Sequence, residues 1–305
     1  GFAVHRGIEL WMIYALTFAF GLILAVERPA MQALLFQLVG PDTLPSAVAA
    51  NSTILSMSRL VGPALGGAMI ATTGIASCFF ANAVSYLVVL GALASIRADR
   101  LVPRPLVRRS AGQLREAFAY VRSNPDVARP LVVMAIIGTI AFNFQTTIPS
   151  MVRFQFDRGA GSVGTAMSVS AIGSILGGVY IAGIRPHPTK TLGVVLLGFS
   201  AAMLAFGSAP NFVWFVVLGI PLGFCGASFS TVDTVVLQQA TDPSLQGRVM
   251  ALQQMALFGS TPIGALLMGW LIEAASPRAP FVVAAVVNLL AAGALLVRHR
   301  AAVPL

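Results

Sequence analysis

Charge is what this chain has least of. Charged residues make up 10% of its 305 residues, against about 25% in an ordinary soluble domain. Of the 19 basic residues only Lys190 is a lysine, so no Gly-x-x-x-x-Gly-Lys-Ser/Thr phosphate loop occurs in this sequence, which favours a drive other than nucleotide hydrolysis. There are three histidines, His5, His187 and His299, and all lie outside the apolar runs. An intramembrane hydrolase or metalloenzyme needs clustered His and acidic residues, so the sequence reads as no enzyme, with no metal and no cofactor. The two cysteines, Cys78 and Cys225, sit within apolar runs and predict neither a disulfide nor a metal site. The turns between the runs are short, such as 40–42, 209–211, 241–243 and 275–277, and leave no room for a soluble catalytic domain.

What fills the chain instead is apolar surface: 57% hydrophobic residues and a mean hydropathy of +0.86. A soluble fold of this size has no interior large enough to hide it. Apolar runs of about 20 residues suffice to cross a hydrocarbon core of about 30 Å as helices. Nine are predicted, over 10–26, 47–71, 76–96, 131–151, 163–184, 191–208, 212–236, 250–272 and 279–297. The runs are continuous, whereas barrel strands would alternate apolar and polar residues, so the predicted class is an all-α integral membrane protein.

The net charge of +9 follows from topology and implies no nucleic-acid partner. With the first run crossing from outside to inside, the inner segments hold Arg28, Arg97, Arg100, Arg104, Arg108, Arg109, Arg115, Arg122, Arg129, Arg185, Lys190, Arg248, Arg298 and Arg300. The outer segments hold only Arg6, Arg153, Arg158 and Arg278. This positive-inside bias sets the orientation, with a cytoplasmic C-terminus and multi-pass residence in the plasma (inner) membrane. His5 and Arg6 ahead of an apolar run imitate a secretory signal, but no small-residue cleavage site follows. Asn51-Ser52-Thr53 matches a glycosylation sequon at the inner end of a run, where no glycosyl transfer occurs.

The chain also repeats itself. Phe79-Phe80-Ala81 and Gly91-Ala92-Leu93 recur as Phe281-Val282-Val283 and Gly293-Ala294-Leu295, an offset of 202 residues; Pro63 meets Pro262 at 199. Long internal repeats in an apolar chain mark secondary transporters. The second unit has apolar runs from 131 to about 208 that the first lacks, which predicts a first half short of three helices. Between the halves, 97–130 carries eight arginines, and 114–121 has the pattern of a short amphipathic helix at the inner membrane face, ended by Asn124-Pro125. This reads as a cytoplasmic linker.

The sharpest motif is Ser58-Arg59-Leu60-Val61-Gly62-Pro63-Ala64-Leu65-Gly66-Gly67. Gly62 and Gly66 form a small-xxx-small face, and Pro63 removes a backbone donor and bends the helix. It resembles the antiporter motif of the major facilitator superfamily, with Ser58 in place of the first glycine. Residues 27–33, 44–52, 247–252 and 259–264 are similar to the branch that holds enterobactin exporters and tap-type multidrug efflux pumps. The resemblance covers essentially the whole chain and implies the major facilitator fold with nine of twelve transmembrane helices: 1–96 as a truncated N-terminal half, 97–130 as linker and 131–305 as the C-terminal half. It further implies a monomer that moves a small-molecule substrate across the lipid bilayer against protons. A loop hallmark of that superfamily is expected near 178–190, where Arg185 and Lys190 occur without an Asp.

Polar groups at bilayer depth are functional by default. Asp233 and Glu27 are the proton-coupling candidates, with interfacial solvation as the alternative for each. Arg59, Thr139, Asn143, Thr146 and Gln253 are substrate-path candidates, with helix packing as the alternative. Spacing places Thr139, Asn143, Thr146 and Ser150 on one face of a continuous helix. Gly62, Pro63, Gly66 and Gly67 are the gate candidates. The function expected is proton-driven export of a drug-like amphipathic molecule by alternating access. Siderophore export on the same fold is the alternative, and a non-transporting membrane subunit or an inactive fragment is the alternative of another class.

Overall fold

A computed structural model describes residues 10–97, 113–183, 188–242 and 245–301. Every regular element among them is helical, as the continuous apolar runs require: in hydrocarbon a lone helix satisfies its own backbone. Seven helical stretches among the described residues are long and apolar enough to cross a membrane. They correspond to the third through ninth predicted runs. The chain divides into two compact units, 1–108 and 109–305.

In the first unit the first two predicted runs lie in one helical stretch, α1 (Leu10–Thr73), followed by α2 (Ile75–Ala94). At 1.5 Å per residue α1 is roughly 96 Å long, about three times a hydrocarbon core, so one crossing cannot hold it. The predicted turn over 40–42 shrinks to a single residue. Gly40 leaves the helical region at φ 73°, ψ 176°, and the helix resumes at once with Pro41. Only glycine takes such an angle without a Cβ penalty. No residue of α2 is buried within this unit.

The second unit holds α3 (Gln113–Ser123), α4 (Pro125–Ile140), α5 (Phe144–Ser150), a π-turn (Met151–Gln155), α6 (Ala160–Ala182), α7 (Pro188–Gly207), α8 (Phe212–Ala240), α9 (Gln246–Gly259), α10 (Thr261–Ala274) and α11 (Ala279–Ala301). The predicted amphipathic helix is α3. Asn124 separates it from α4, which takes Pro125 in its first turn, where a missing N–H costs nothing. The membrane helix thus begins within the stretch read as linker. α3 also does more than lie at a membrane face: Ala117 is buried, in one apolar cluster with Val127 and Leu131 of α4, Leu237 of α8, and Val249 and Leu252 of α9. Arg248 donates to Glu116, and the Asp242 N–H donates to the Tyr120 hydroxyl at 3.0 Å.

Two predicted single helices are broken. The fourth run splits at 141–143 into α4 and α5. The eighth splits at Ser260 into α9 and α10, with Pro262 in the first turn of α10. Phe142, at the first break, packs its ring 5.7 Å from Phe199 of α7 and 6.3 Å from Phe229 of α8.

α6 and α8 are packed backbone against backbone. A Cβ added at Gly223 would sit 1.9 Å from the Ser170 carbonyl oxygen; at Gly173 it would sit 2.0 Å from that of Ile220, and at Gly177 2.2 Å from that of Phe224. Lipid tails are as apolar as leucine, so helices in membranes gain from close packing rather than from burial, and small residues permit it. Ser228 of α8 donates to the Gly177 carbonyl at 3.4 Å across the same seam.

Gly223→Ala should therefore force the α6–α8 seam apart, at a cost of about 1–3 kcal/mol. Gly178→Ala, where an added Cβ meets nothing within 4 Å, should not lower stability. Thermal unfolding of the two purified variants in detergent checks this; equal midpoints would mean that the seam is not close-packed.

Candidate functional site

α8 carries a single charged residue among 29, Asp233. It lies seven residues before the helix ends at Ala240, or roughly 10 Å along the axis. Its neighbours on the inward face, Phe229, Val232, Val236 and Leu237, are buried apolar residues. Asp233 itself is 0% exposed. A charge this deep needs a partner, because its hydration is lost and only nearby dipoles or charges replace it.

The partner comes from α9. Gln253, 1% exposed, donates its Nε2 to Asp233 Oδ2 at 2.8 Å and to Thr234 Oγ1 at 3.1 Å. Thr234 in turn donates to the Ser230 carbonyl, one turn back. The second carboxylate oxygen, Oδ1, and the amide oxygen of Gln253, Oε1, are both buried without a hydrogen-bond partner. Below the pair, Leu237, Val249 and Leu252 join the cluster that docks α3 and form an apolar layer toward the C-terminal end of α8. The site is thus a buried polar contact between α8 and α9, and a carboxyl group there can bind or release one proton.

A second polar locus is the break in the fourth run. Asn143, 3% exposed, stands at the N-cap of α5. Its Nδ2 donates to the Thr139 carbonyl at 2.7 Å, in place of the backbone N–H that a continuous helix would supply. The single polar face predicted for Thr139, Asn143, Thr146 and Ser150 is therefore interrupted. Asn143 faces the break, while Thr139, Thr147 and Ser150 bond back to carbonyls one turn earlier. Pro149 within α5 withholds one more donor. Gly264 of α10 closes on this break, and a Cβ there would lie 2.0 Å from the Thr139 carbonyl oxygen and 2.6 Å from Asn143 Nδ2. Asn143 Oδ1 is left buried and unpartnered. Phe229, one turn before Asp233 on α8, touches the ring of Phe142 beside Asn143, so the two loci share one packed wall.

The gate candidates, Glu27 and Arg59 belong to the first unit. Glu27 is exposed on α1. Arg59 and Pro63 lie within α1, but their side chains fall outside the described residues. Gly62 is exposed and Gly67 buried; the Gly66 carbonyl accepts from the Cys78 thiol of α2 at 3.8 Å. A Cβ at Gly62 or Gly66 would meet nothing within 4 Å. The expected loop hallmark near 178–190 falls partly on 184–187, outside the described residues.

Sequence reasoning placed Gln253 in the substrate path and missed that it pairs with Asp233. The two are 20 positions apart, and no spacing rule links residues on different helices. It also passed over Gly173, Gly177, Gly219 and Gly223, although their spacing of four was a visible signal.

Comparison with known proteins agrees with this architecture. The family described as transmembrane secretion effector, of the major facilitator type, matches residues 2–304. The staphyloferrin A transporter of Staphylococcus aureus is 26% identical over 81% of this chain and 62% of its own length. The multidrug efflux pump Tap of Mycolicibacterium fortuitum is 24% identical over 78% of this chain and 59% of its own. The enterobactin exporter EntS of Citrobacter koseri is 25% identical over 89% of this chain and 65% of its own. The chain thus spans less than two thirds of the length of these relatives. With a match over nearly every residue and an all-helical, multi-pass membrane architecture, the chain belongs to the transmembrane secretion effector family of the major facilitator superfamily.

Proposed function

We propose that the protein exports a small amphipathic, drug-like molecule in exchange for protons, by alternating access, as a monomer in the inner membrane with its C-terminus in the cytoplasm. The observation that carries this reading is Asp233, a carboxyl group buried in an otherwise uncharged membrane helix and held by a single amide. A group that takes up a proton on one side and releases it on the other must be a weak acid shielded from bulk water between exposures. Asp233 meets both conditions. Glu27 is the second candidate and ranks lower, being exposed and next to Arg28 in sequence. The relatives named as multidrug efflux pumps support export of drug-like molecules.

In this reading the break at Asn143 lies on the substrate path. A discontinuous helix at membrane depth is tolerated where it meets protein or lines a cavity, and binding sites of secondary transporters gather at such breaks. Siderophore export is the second reading, favoured by the relatives named for staphyloferrin A and enterobactin. Competition by a drug-like cation and by an iron-free siderophore in one export assay separates the two.

Asp233→Asn in proteoliposomes of the full-length protein should abolish export driven by a proton gradient and leave gradient-free substrate exchange measurable. Glu27→Gln should retain most of the driven export. Unchanged driven export in both variants would contradict the carboxylate assignment. Asn143→Ala should raise the apparent KM for export and should destabilise the break by about 1–3 kcal/mol through the unpaired Thr139 carbonyl. Gln145→Ala, an exposed neighbour, is the control; matched KM and unfolding midpoint in the two variants would remove Asn143 from the path.

A further inference from the structure

The Asp233 site contains two buried orphans, and they belong to the two side chains that already touch. Gln253 spends both amide hydrogens, one on Asp233 Oδ2 and one on Thr234 Oγ1. Because Thr234 commits its own hydrogen to the Ser230 carbonyl, it can only accept from Gln253, which fixes which end of the amide is nitrogen. Gln253 Oε1 is left without a donor and Asp233 Oδ1 without one. Buried polar atoms are nearly always paired, and those that are not call for an explanation.

A carboxyl group and a primary amide have a complementary arrangement in which N–H donates to one carboxyl oxygen while O–H on the other donates to the amide oxygen. The first of these two bonds is already in place at 2.8 Å. The second would need a hydrogen on Oδ1, the carboxyl oxygen that has no partner. We propose that Gln253 is the partner of the proton at Asp233: when the proton arrives on Oδ1 the two side chains close a cyclic acid–amide pair, and when it leaves the pair opens to the single bond now present. One O–H bond forms, the carboxylate charge is neutralised, and both orphans are satisfied by that one hydrogen. This moves Gln253 from the substrate path to a positioning role. It also makes the α8–α9 contact depend on proton occupancy, since one bond joins Gln253 to the carboxyl group without the proton and two with it.

No other charged side chain is buried among the described residues. Of the elements packed on α8, α6 carries no charged residue, α7 carries only the exposed Lys190, and α4 only the exposed Asp126–Arg129 pair. α9 carries Arg248, which is engaged with Glu116 of α3. Gln253 is therefore the group placed to respond to the proton.

The inference rests on Asp233 being the proton carrier, and infrared spectroscopy of the reconstituted full-length protein separates the two claims. The carboxylic C=O band of protonated Asp233 is identified by its loss in Asp233→Asn. In the wild type this band should lie where a doubly hydrogen-bonded acid absorbs, and in Gln253→Leu it should move to higher wavenumber as the acid loses its amide. In the wild type with carbonyl-labelled glutamine, one amide C=O band should shift in step with the Asp233 titration, a readout that needs no variant to fold. A titrating Asp233 band with no change in Gln253→Leu and no glutamine band in step with it would overturn the pair while leaving Asp233 as carrier. Absence of any Asp233 band across the pH range would remove the carrier and the pair together.

Discussion

Hydrocarbon offers no hydrogen bonds, and the rest of this structure follows from that. Each polar group within a membrane helix must find a partner inside the protein or be left at a cost. The chain answers by having few such groups and by placing them where helices meet. Ser200 of α7 donates to the Ala285 carbonyl of α11, Ser228 of α8 to that of Gly177, and Asn143 to the carbonyl exposed by its own helix break. Against this background the unsatisfied atoms stand out, and those of Asp233 and Gln253 fall on one contacting pair.

α8 is the helix on which these features converge. Its glycine face lies directly on α6, its Phe229 meets the aromatic ring at the broken fourth run, and its Asp233 faces α9. A shift of α8 against either neighbour therefore changes both polar loci at once. Near the C-terminal end of α8 the docked helix α3 adds a layer through Ala117 and the Glu116–Arg248 pair. That ion pair is partly exposed and adds less than about 1 kcal/mol.

Much of this was legible in the sequence, because what makes a membrane span acts locally along the chain. Seven of the predicted runs appear as membrane-length helices, since apolar length is all that a span requires. Asp233 was legible because one carboxylate in an apolar helix of 29 residues has no bland company. The break at 141–143 was not, as a lone asparagine within an apolar run does not mark a break, and the contacts of Phe142 and Gly264 that accompany it exist only in the folded chain. The Gly62–Gly66 motif was legible as a pattern, but which helix a glycine face receives is not written in its own spacing; Cys78 of α2 reaches the Gly66 carbonyl. The partner of Asp233 was illegible for the same reason: which helices touch is decided by the fold as a whole.

In the proposed exchange cycle Asp233 carries the transported proton. Proton release on substrate binding, followed with a pH-indicator dye in weakly buffered detergent solution of the full-length protein, tests it most directly. The wild type should release about one proton per protein, and Asp233→Asn none with substrate still bound. Equal release from both would contradict it.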